Sequence, residues 1–82
     1  MALHLSKEVR REVILKNALE MVHEGGFESL SIASVSTRCD CGVSTVKVIF
    51  SNRTVLCRSL INYAEALGDE EIVKLGRRIF PG

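Results

Sequence analysis

The longest regular alternation of apolar and polar positions lies in residues 6–24, SKEVRREVILKNALEMVHE. Its apolar residues recur at the spacing of one helical stripe. They are Ile14, Leu15, Ala18, Leu19 and Val22. Ser6 can cap the start of this helix, and Gly25 and Gly26 end it. We predict that Phe27, which follows the two glycines, folds back over the stripe and contributes to a small core.

Residues 52–80 predict two further helices. Asn52 can cap the first, whose apolar face recurs at helical spacing until Gly68 ends it. That face contains Val55, Leu56, Ser59, Leu60, Tyr63 and Leu67. Asp69 can cap the last helix, which runs to about Arg78 and has acidic residues in its first turn and basic ones in its last, as the helix dipole favours. Pro81 and Gly82 close the chain.

The segment between these helices is less regular. Ser29 or Ser31 can cap a helix that runs to about Cys39. The residues that would face inward are three or four apart: Ile32, Val35, Ser36 and Cys39. The following stretch, VSTVKVIF, is rich in β-branched residues and favours a strand by propensity. Because tertiary context overrides propensity in short buried helices, a helix over about residues 42–50 stays open.

Residues 39–53, CDCGVSTVKVIFSNR, have three interpretations. As a metal knuckle they are poor, because Cys39 and Cys41 have one residue between them, and zinc sites use wider pairs with a matching second pair. His4, His23 and Cys57 are the other soft ligands. As a β-hairpin the segment would leave both strand edges unpaired. The third interpretation is a turn leading into a short helix.

Composition limits the class of protein. A chain of 82 residues with 46% apolar residues predicts one small domain, and a domain of this size is marginally stable alone. No apolar run reaches the roughly 18 residues of a membrane span, no secretion signal is visible, and three cysteines are an odd number for a disulfide framework. We therefore expect a cytoplasmic protein with reduced thiols.

The net charge of +1 is low for a nucleic-acid binder. Its distribution is uneven, since residues 1–58 contain eight Lys and Arg against six Asp and Glu, and the remainder contains three against four.

The third interpretation of residues 39–53 is favoured by a family resemblance. Residues 11–56 resemble the N-terminal DNA-binding domain of the tetracycline-repressor (TetR) family of bacterial regulators. The family pattern is roughly R-x-x-I-L-x-A-A-x-x-L-x-x-x-x-G-F, followed by T-x-x-x-I-A-x-x-A-G-V-S-x-x-T-L-Y-x-Y-F-x-S-K-x-x-L. The first part is matched by Arg11, Ile14, Leu15, Ala18, Gly26 and Phe27. The second is matched without a gap by Ser31, Val35, Ser36, Cys39, Thr45, Val46, Ile49, Phe50, Asn52, Arg53 and Leu56.

The resemblance implies an all-α fold, a small bundle of about four to five helices with a helix-turn-helix. The core of that unit would be residues 6–56 of a single 1–82 domain, and residues 57–82 would complete the fourth helix and add a C-terminal one. In the ungapped register Asp40 stands where the family has a glycine of positive φ, which Asp tolerates better than most residues. Gly42 replaces the capping serine. The family's ligand-binding domain has no counterpart here, so no small-molecule ligand and no cofactor are expected.

In a helix-turn-helix the first helix braces on the DNA backbone and the second enters the major groove. The side chains facing inward would be Val46, Ile49 and Phe50. Those facing DNA would be Gly42, Val43, Ser44, Thr45, Lys47 and Val48. Ser44 and Thr45 can hydrogen-bond to bases or phosphates, and Val43 can contact a thymine methyl group. Lys47, where the family usually has tyrosine, can reach guanine or phosphate.

Phosphate anchoring is expected from Ser31, Arg53 and the cluster Lys7, Arg10 and Arg11. The alternative for the cluster is a solvated helix face, and for Arg53 a salt bridge to a neighbour.

One reader of this size neutralises too few phosphates for tight binding, so we expect a homodimer on an inverted-repeat operator in double-stranded DNA. The dimerisation segment would be Ile72, Val73, Leu75, Ile79 and Phe80.

Two functions from different classes follow. The first is a transcriptional regulator, expected to be a repressor, which lacks an inducer domain and could be encoded by a phage or plasmid. The second is a helical protein-interaction module that binds a host protein, which the near-neutral charge and Asp40 favour. An enzyme is not expected, because the sequence has no phosphate loop, no HExxH motif and no nucleophile with an adjacent base.

Overall fold

A computed structural model describes residues 6–80, which form five α-helices, one short 3₁₀ turn and no strand. Helix α1 spans Lys7–Gly25, and the 3₁₀ turn Phe27–Ser29 follows it. The next two helices are short: α2 is Ile32–Arg38 and α3 is Val43–Ile49. Helix α4 is Arg53–Leu67 and α5 is Glu70–Ile79. The predicted all-α fold is confirmed. His4, Pro81 and Gly82 lie outside the described residues.

The predicted helix caps are confirmed. The side chain of Ser6 accepts a hydrogen bond from the Val9 amide, and that of Asn52 accepts one from the Val55 amide. Of the two serines considered for α2, Ser31 is the cap, in a reciprocal capping box with Ser34. These polar side chains satisfy amides that have no partner inside their own helices. The capping residues in the sequence therefore predicted where these helices begin.

The core is built on the apolar stripe of α1. Phe27 is 2% exposed and folds back against it, as predicted. Every helix contributes to this core. Its largest fully buried side chains are Phe27, Phe50, Ile14, Leu15, Leu30, Leu56, Leu60, Ile72, Val35, Val46 and Cys57.

The segment CDCGVSTVKVIF forms a turn and a helix, so the hairpin interpretation is wrong for these residues. Two buried side chains explain why its strand propensity is overridden: Val46 is fully buried and Phe50 is 1% exposed. Burying both against the other helices stabilises this segment by a few kcal/mol, which exceeds the few tenths by which β-branched residues disfavour a helix. Among residues 6–80, no helix is long and apolar enough to cross a membrane.

Helix α5 closes the open side of the core and is not a free amphipathic face. Ile72 is 1% exposed, and Gly76 is buried. A Cβ atom at Gly76 would overlap Ile61 and come within 3.2 Å of Phe27 Cζ, so only glycine permits this close approach. At the end of α5, the rings of Phe80 and Phe27 meet edge to face at 6.0 Å.

This packing corrects part of the predicted dimerisation segment. Ile72 belongs to the core of the monomer and cannot contact another subunit, and Phe80 is half-buried on Phe27. Val73 and Leu75 are also half-buried. Ile79, 45% exposed, keeps a largely free surface.

Candidate nucleic-acid interface

Helix α3 is held by one face and presents the other to solvent. Val46 and Phe50 anchor it in the core, and Ile49 is half-buried. On the outer face, Val43 is 42% exposed and Val48 72%. Ser44 and Lys47 are exposed and Thr45 is half-buried. The assignments of Val46 and Phe50 as inward, and of the exposed residues as outward, therefore agree with the structure. Ile49 and Thr45, which were expected to face opposite ways, are both half-buried.

The turn between α2 and α3 sets the direction of α3. Asp40 has a φ of 54°, the left-handed conformation that the ungapped register predicts for it. The Cys41 amide donates to the Ser36 carbonyl at 3.0 Å, which closes the turn. Gly42 then begins α3 as its N-cap without a side-chain hydrogen bond, as its lack of a side chain requires.

A groove separates the first turn of α1 from α3. It has a volume of about 350 Å³, and Lys7 and Arg10 line it together with Thr45, Val48 and Ile49. The fold thus brings two members of the predicted basic cluster beside the predicted reading helix, although more than thirty residues separate them in sequence. The third member, Arg11, lies over the ring of Phe50 at 5.5 Å from its centroid.

The positive charges near this groove have no carboxylate partner. No Asp or Glu oxygen of residues 6–80 lies within 4 Å of the charged groups of Lys7, Arg10 or Lys47. Arg38, by contrast, pairs with Glu24 at 2.8 Å and with Glu20 at 3.3 Å. That pair joins α2 to α1, and the Arg38 guanidinium holds the pKa of Glu24 below its ordinary value. Lys7 and Arg10 beside α3, and Lys47 on it, are therefore cations that have no carboxylate partner among residues 6–80.

Arg53 has a structural role that the sequence did not reveal. Its guanidinium donates to the carbonyl oxygens of Leu30 and Phe27, both at 2.8 Å, and lies 5.9 Å from the centroid of the Phe80 ring. It joins the start of α4 to the segment before α2 and to the end of α5. The hydrogen-bond partners of Arg53 are backbone carbonyls and not carboxylates, so these contacts are not the salt bridge considered as an alternative.

The hydroxyl group of Ser31 also makes hydrogen bonds within the fold. Its hydroxyl accepts from the Ser34 amide at 3.0 Å and donates to the Ser34 hydroxyl at 2.9 Å. A phosphate oxygen needs a donor, and the hydroxyl hydrogen of Ser31 is already used. Among the predicted phosphate anchors, Ser31 and Arg53 thus make hydrogen bonds within the fold and Arg11 lies over Phe50. Lys7 and Arg10, like Lys47 on α3, make no ion pair with another of residues 6–80.

Two contacts between distant residues could not be read from the sequence. His23 Nε2 lies 2.6 Å from Asp69 Oδ2, and Asp69 also caps α5 through Oδ1. This contact lowers the pKa of Asp69, chiefly because His23 hydrogen-bonds to the carboxylate. Glu65 and Arg77 join α4 to α5. The short loop at Gly68 predicts that α4 and α5 are neighbours, which was a signal for the contact of Glu65 with Arg77. The sequence has no comparable signal for the contact of His23 with Asp69.

The cysteines behave as apolar side chains. Burial raises the pKa of the Cys57 and Cys39 thiols, and neither forms a disulfide. His23 contacts Asp69 and not Cys41 or Cys57. Within residues 6–80 no three potential ligand side chains are grouped as a metal site would require.

Comparison of this chain with protein-family models, with curated proteins and with solved structures finds no match. The arguments for function therefore come from the arrangement of the residues alone.

Proposed function

We propose that this protein is a sequence-specific DNA-binding regulator of transcription, expected to repress, which inserts α3 into the major groove. The observation that carries the proposal is the juxtaposition of an exposed α3 face with three cations, Lys7, Arg10 and Lys47, that have no carboxylate partner within residues 6–80. An α-helix fits the major groove, and the base edges there accept hydrogen bonds from Lys and Ser and apolar contacts from Val. Phosphates on either side would neutralise Lys7 and Arg10.

The α2–α3 unit has the proportions of a helix-turn-helix. Both helices are seven residues long, and residues 39–42 connect them. The agreement of Asp40 and Gly42 with the turn of the TetR-like pattern supports the same assignment. In this arrangement α2 braces on the backbone and α3 contacts bases, with Lys47 directed to guanine or phosphate.

The proposal includes a homodimer on an inverted-repeat operator. A single seven-residue reader contacts few base pairs, and two readers double both the base contacts and the phosphate contacts. Ile79 on α5, at 45% exposed, is the member of the predicted dimerisation segment that keeps the most free surface. Association that depends on protein concentration in sedimentation, and that is lost in Ile79→Ala, tests this part.

The test of DNA binding is a selection from randomised DNA with the purified chain, followed by affinity measurements at several salt concentrations. The variant is Lys7→Ala, Arg10→Ala and Lys47→Ala combined, because these residues make no ion pair that the fold needs. Each lost phosphate contact should lower the slope of log affinity against log salt by about 0.9. Lys74→Ala, an exposed lysine on α5, is the matched control and should leave the slope unchanged.

Failure to enrich any sequence with folded protein, or equal affinity of the triple variant, would reject the proposal. In the first case the protein-interaction module becomes the better hypothesis. The residue to change would then be Ile79, since changing Phe80 also removes a contact to Phe27 and Arg53.

A further inference from the structure

Val48 is the most exposed large hydrophobic side chain of the described residues, at 72%. It lies in the last two turns of α3, one residue after Lys47. Packing among the described residues does not require a valine at this position. A polar side chain would be equally compatible with the helix, because the position is exposed to solvent. Isolated surface valines are common, so exposure alone says little. Its neighbours make the position informative.

Val48 forms an apolar strip with Thr45 and Ile49 along the groove whose other side carries Lys7 and Arg10. Ser44 lies one turn before Val48 on the same face of the helix, at the i, i+4 spacing. The groove thus combines an apolar strip with two cations. A ligand that fits it has anionic groups on one side and an apolar group on the other.

The major groove of DNA has that combination of groups. Its phosphates are anionic, and the one apolar group on its base edges is the C5-methyl of thymine, or of a methylated cytosine. Valine suits such a contact because its β-branched side chain has essentially one rotamer in a helix and loses little freedom on binding. Val43, which is 42% exposed at the first residue of α3, has no place in this groove.

We propose, as an extension of the proposed function, that Val48 binds the C5-methyl group of a pyrimidine and selects for it at one position in each half-site. The methyl group belongs to thymine or to 5-methylcytosine. Lys7 and Arg10 hold the flanking phosphates, which brings the Val48 side chain against the base edge. The sequence alone pointed to Val43 for this contact, and the groove moves the assignment to Val48.

The experiment uses the selected operator, with each thymine replaced in turn by deoxyuridine, which lacks only the methyl group. Loss of one buried methyl contact should weaken binding by about fourfold. At the sensitive position the T·A pair is then replaced by C·G and by 5-methyl-C·G, and the methylated pair should bind about fourfold more tightly than the unmethylated one. If methylation of cytosine has no effect while deoxyuridine does, the methyl group is read only on thymine.

The variant Val48→Ala should bind the thymine and deoxyuridine operators equally well. Val43→Ala, in the same helix, and Leu67→Ala, an exposed residue at the far end of α4, should keep the fourfold difference. A difference that persists in Val48→Ala, or that disappears in Val43→Ala instead, overturns the assignment while DNA binding itself stands. So does a wild-type protein that binds its operator selectively but is insensitive to every deoxyuridine. Absence of any selected operator rejects both this inference and the proposed function.

Discussion

Helices α3 and α5 both carry apolar residues, but the fold uses them differently. Helix α3 leaves Val43 and Val48 in solvent, near cations that have no carboxylate partner in the described part of the chain. Helix α5 buries Ile72 against the core, and its basic Arg77 pairs with Glu65. The outer face of α3 is therefore available for contact with a partner, whereas α5 completes the core of the monomer.

The difference matters for function because both helices were candidates for binding. The apolar face of α5 is already buried, so a partner can contact only the residues at its edge, whereas most of the outer face of α3 is exposed. The predictions below test whether α5 is structural and α3 is free, in order of decreasing expected effect.

Ile72→Ala should lower the free energy of unfolding by about 3 kcal/mol, because it leaves a cavity where a fully buried side chain was. Ile79→Ala is the matched control, with the same substitution in the same helix at a 45% exposed position, and should change stability by less than about 0.5 kcal/mol. Urea titrations at a protein concentration at which sedimentation finds the monomer give both values, since Ile79 is also the residue proposed for the dimer contact. Equal effects of the two substitutions would mean that α5 does not close the core as described.

Arg53→Ala should lower the free energy of unfolding by about 2 kcal/mol, since it removes the donors to the Leu30 and Phe27 carbonyls and the contact with Phe80. Arg58→Ala, five residues further along α4 and exposed, should have little effect. Both are measured by urea titration.

The same variant separates the two roles considered for Arg53. If it acts through the fold, the folded variant keeps the salt dependence of DNA binding. If it also contacts a phosphate, the slope falls by about 0.9. A stable variant with a reduced slope would return Arg53 to the DNA-contacting set.

These contacts indicate how far the sequence could be read. Caps depend on residues that are adjacent in the chain, so Ser6 and Asn52 were predictable, and the cap of α2 was narrowed to Ser29 or Ser31. The positive φ of Asp40 was expected from the resemblance. The partners of Arg53 were not, because they are backbone carbonyls, which every residue has. The contact between His23 and Asp69 spans 46 positions and depends on how α1 and α5 meet.

The role of α5 illustrates the same limit. An apolar stripe indicates which face of a helix avoids water, but not whether its own chain or another subunit covers it. Gly76 is the one residue of α5 whose type indicates a close approach to the rest of the core. For α3, the TetR-like pattern led us to expect Val46 and Phe50 on the inner side, and both are buried.

Asp40→Ala should lower the free energy of unfolding by about 1 kcal/mol relative to Asp40→Gly, because alanine resists the left-handed φ of 54° that glycine adopts freely. Asp40→Asn removes the charge but tolerates the same conformation, so it isolates the electrostatic effect. Thermal or urea unfolding of the three variants measures the first effect. Equal stability of the alanine and glycine variants would contradict the turn.

In DNA binding, Asp40→Asn and Asp40→Gly should both bind more tightly than wild type, since each removes a negative charge next to the reading helix. The gain should shrink with added salt. If only the glycine variant gains affinity, flexibility of the turn and not its charge limits binding.

The smallest expected effect concerns the acid stability of the α5 attachment. The hydrogen bond from His23 holds the pKa of Asp69 below its ordinary 3.8, so its contribution to stability is present above that pH and is lost as the pH falls through the lowered value. Asp69→Asn keeps an N-cap of equal quality but cannot titrate. The stability advantage of wild type over Asp69→Asn should therefore shrink as the pH falls from about 5 through the lowered pKa of Asp69. Glu24, which Arg38 also holds at a lowered pKa, titrates in the same range, so both proteins are compared in a Glu24→Gln background. An advantage that does not change between pH 5 and pH 3 would contradict the lowered pKa of Asp69 and the stabilising contact with His23 from which it chiefly arises.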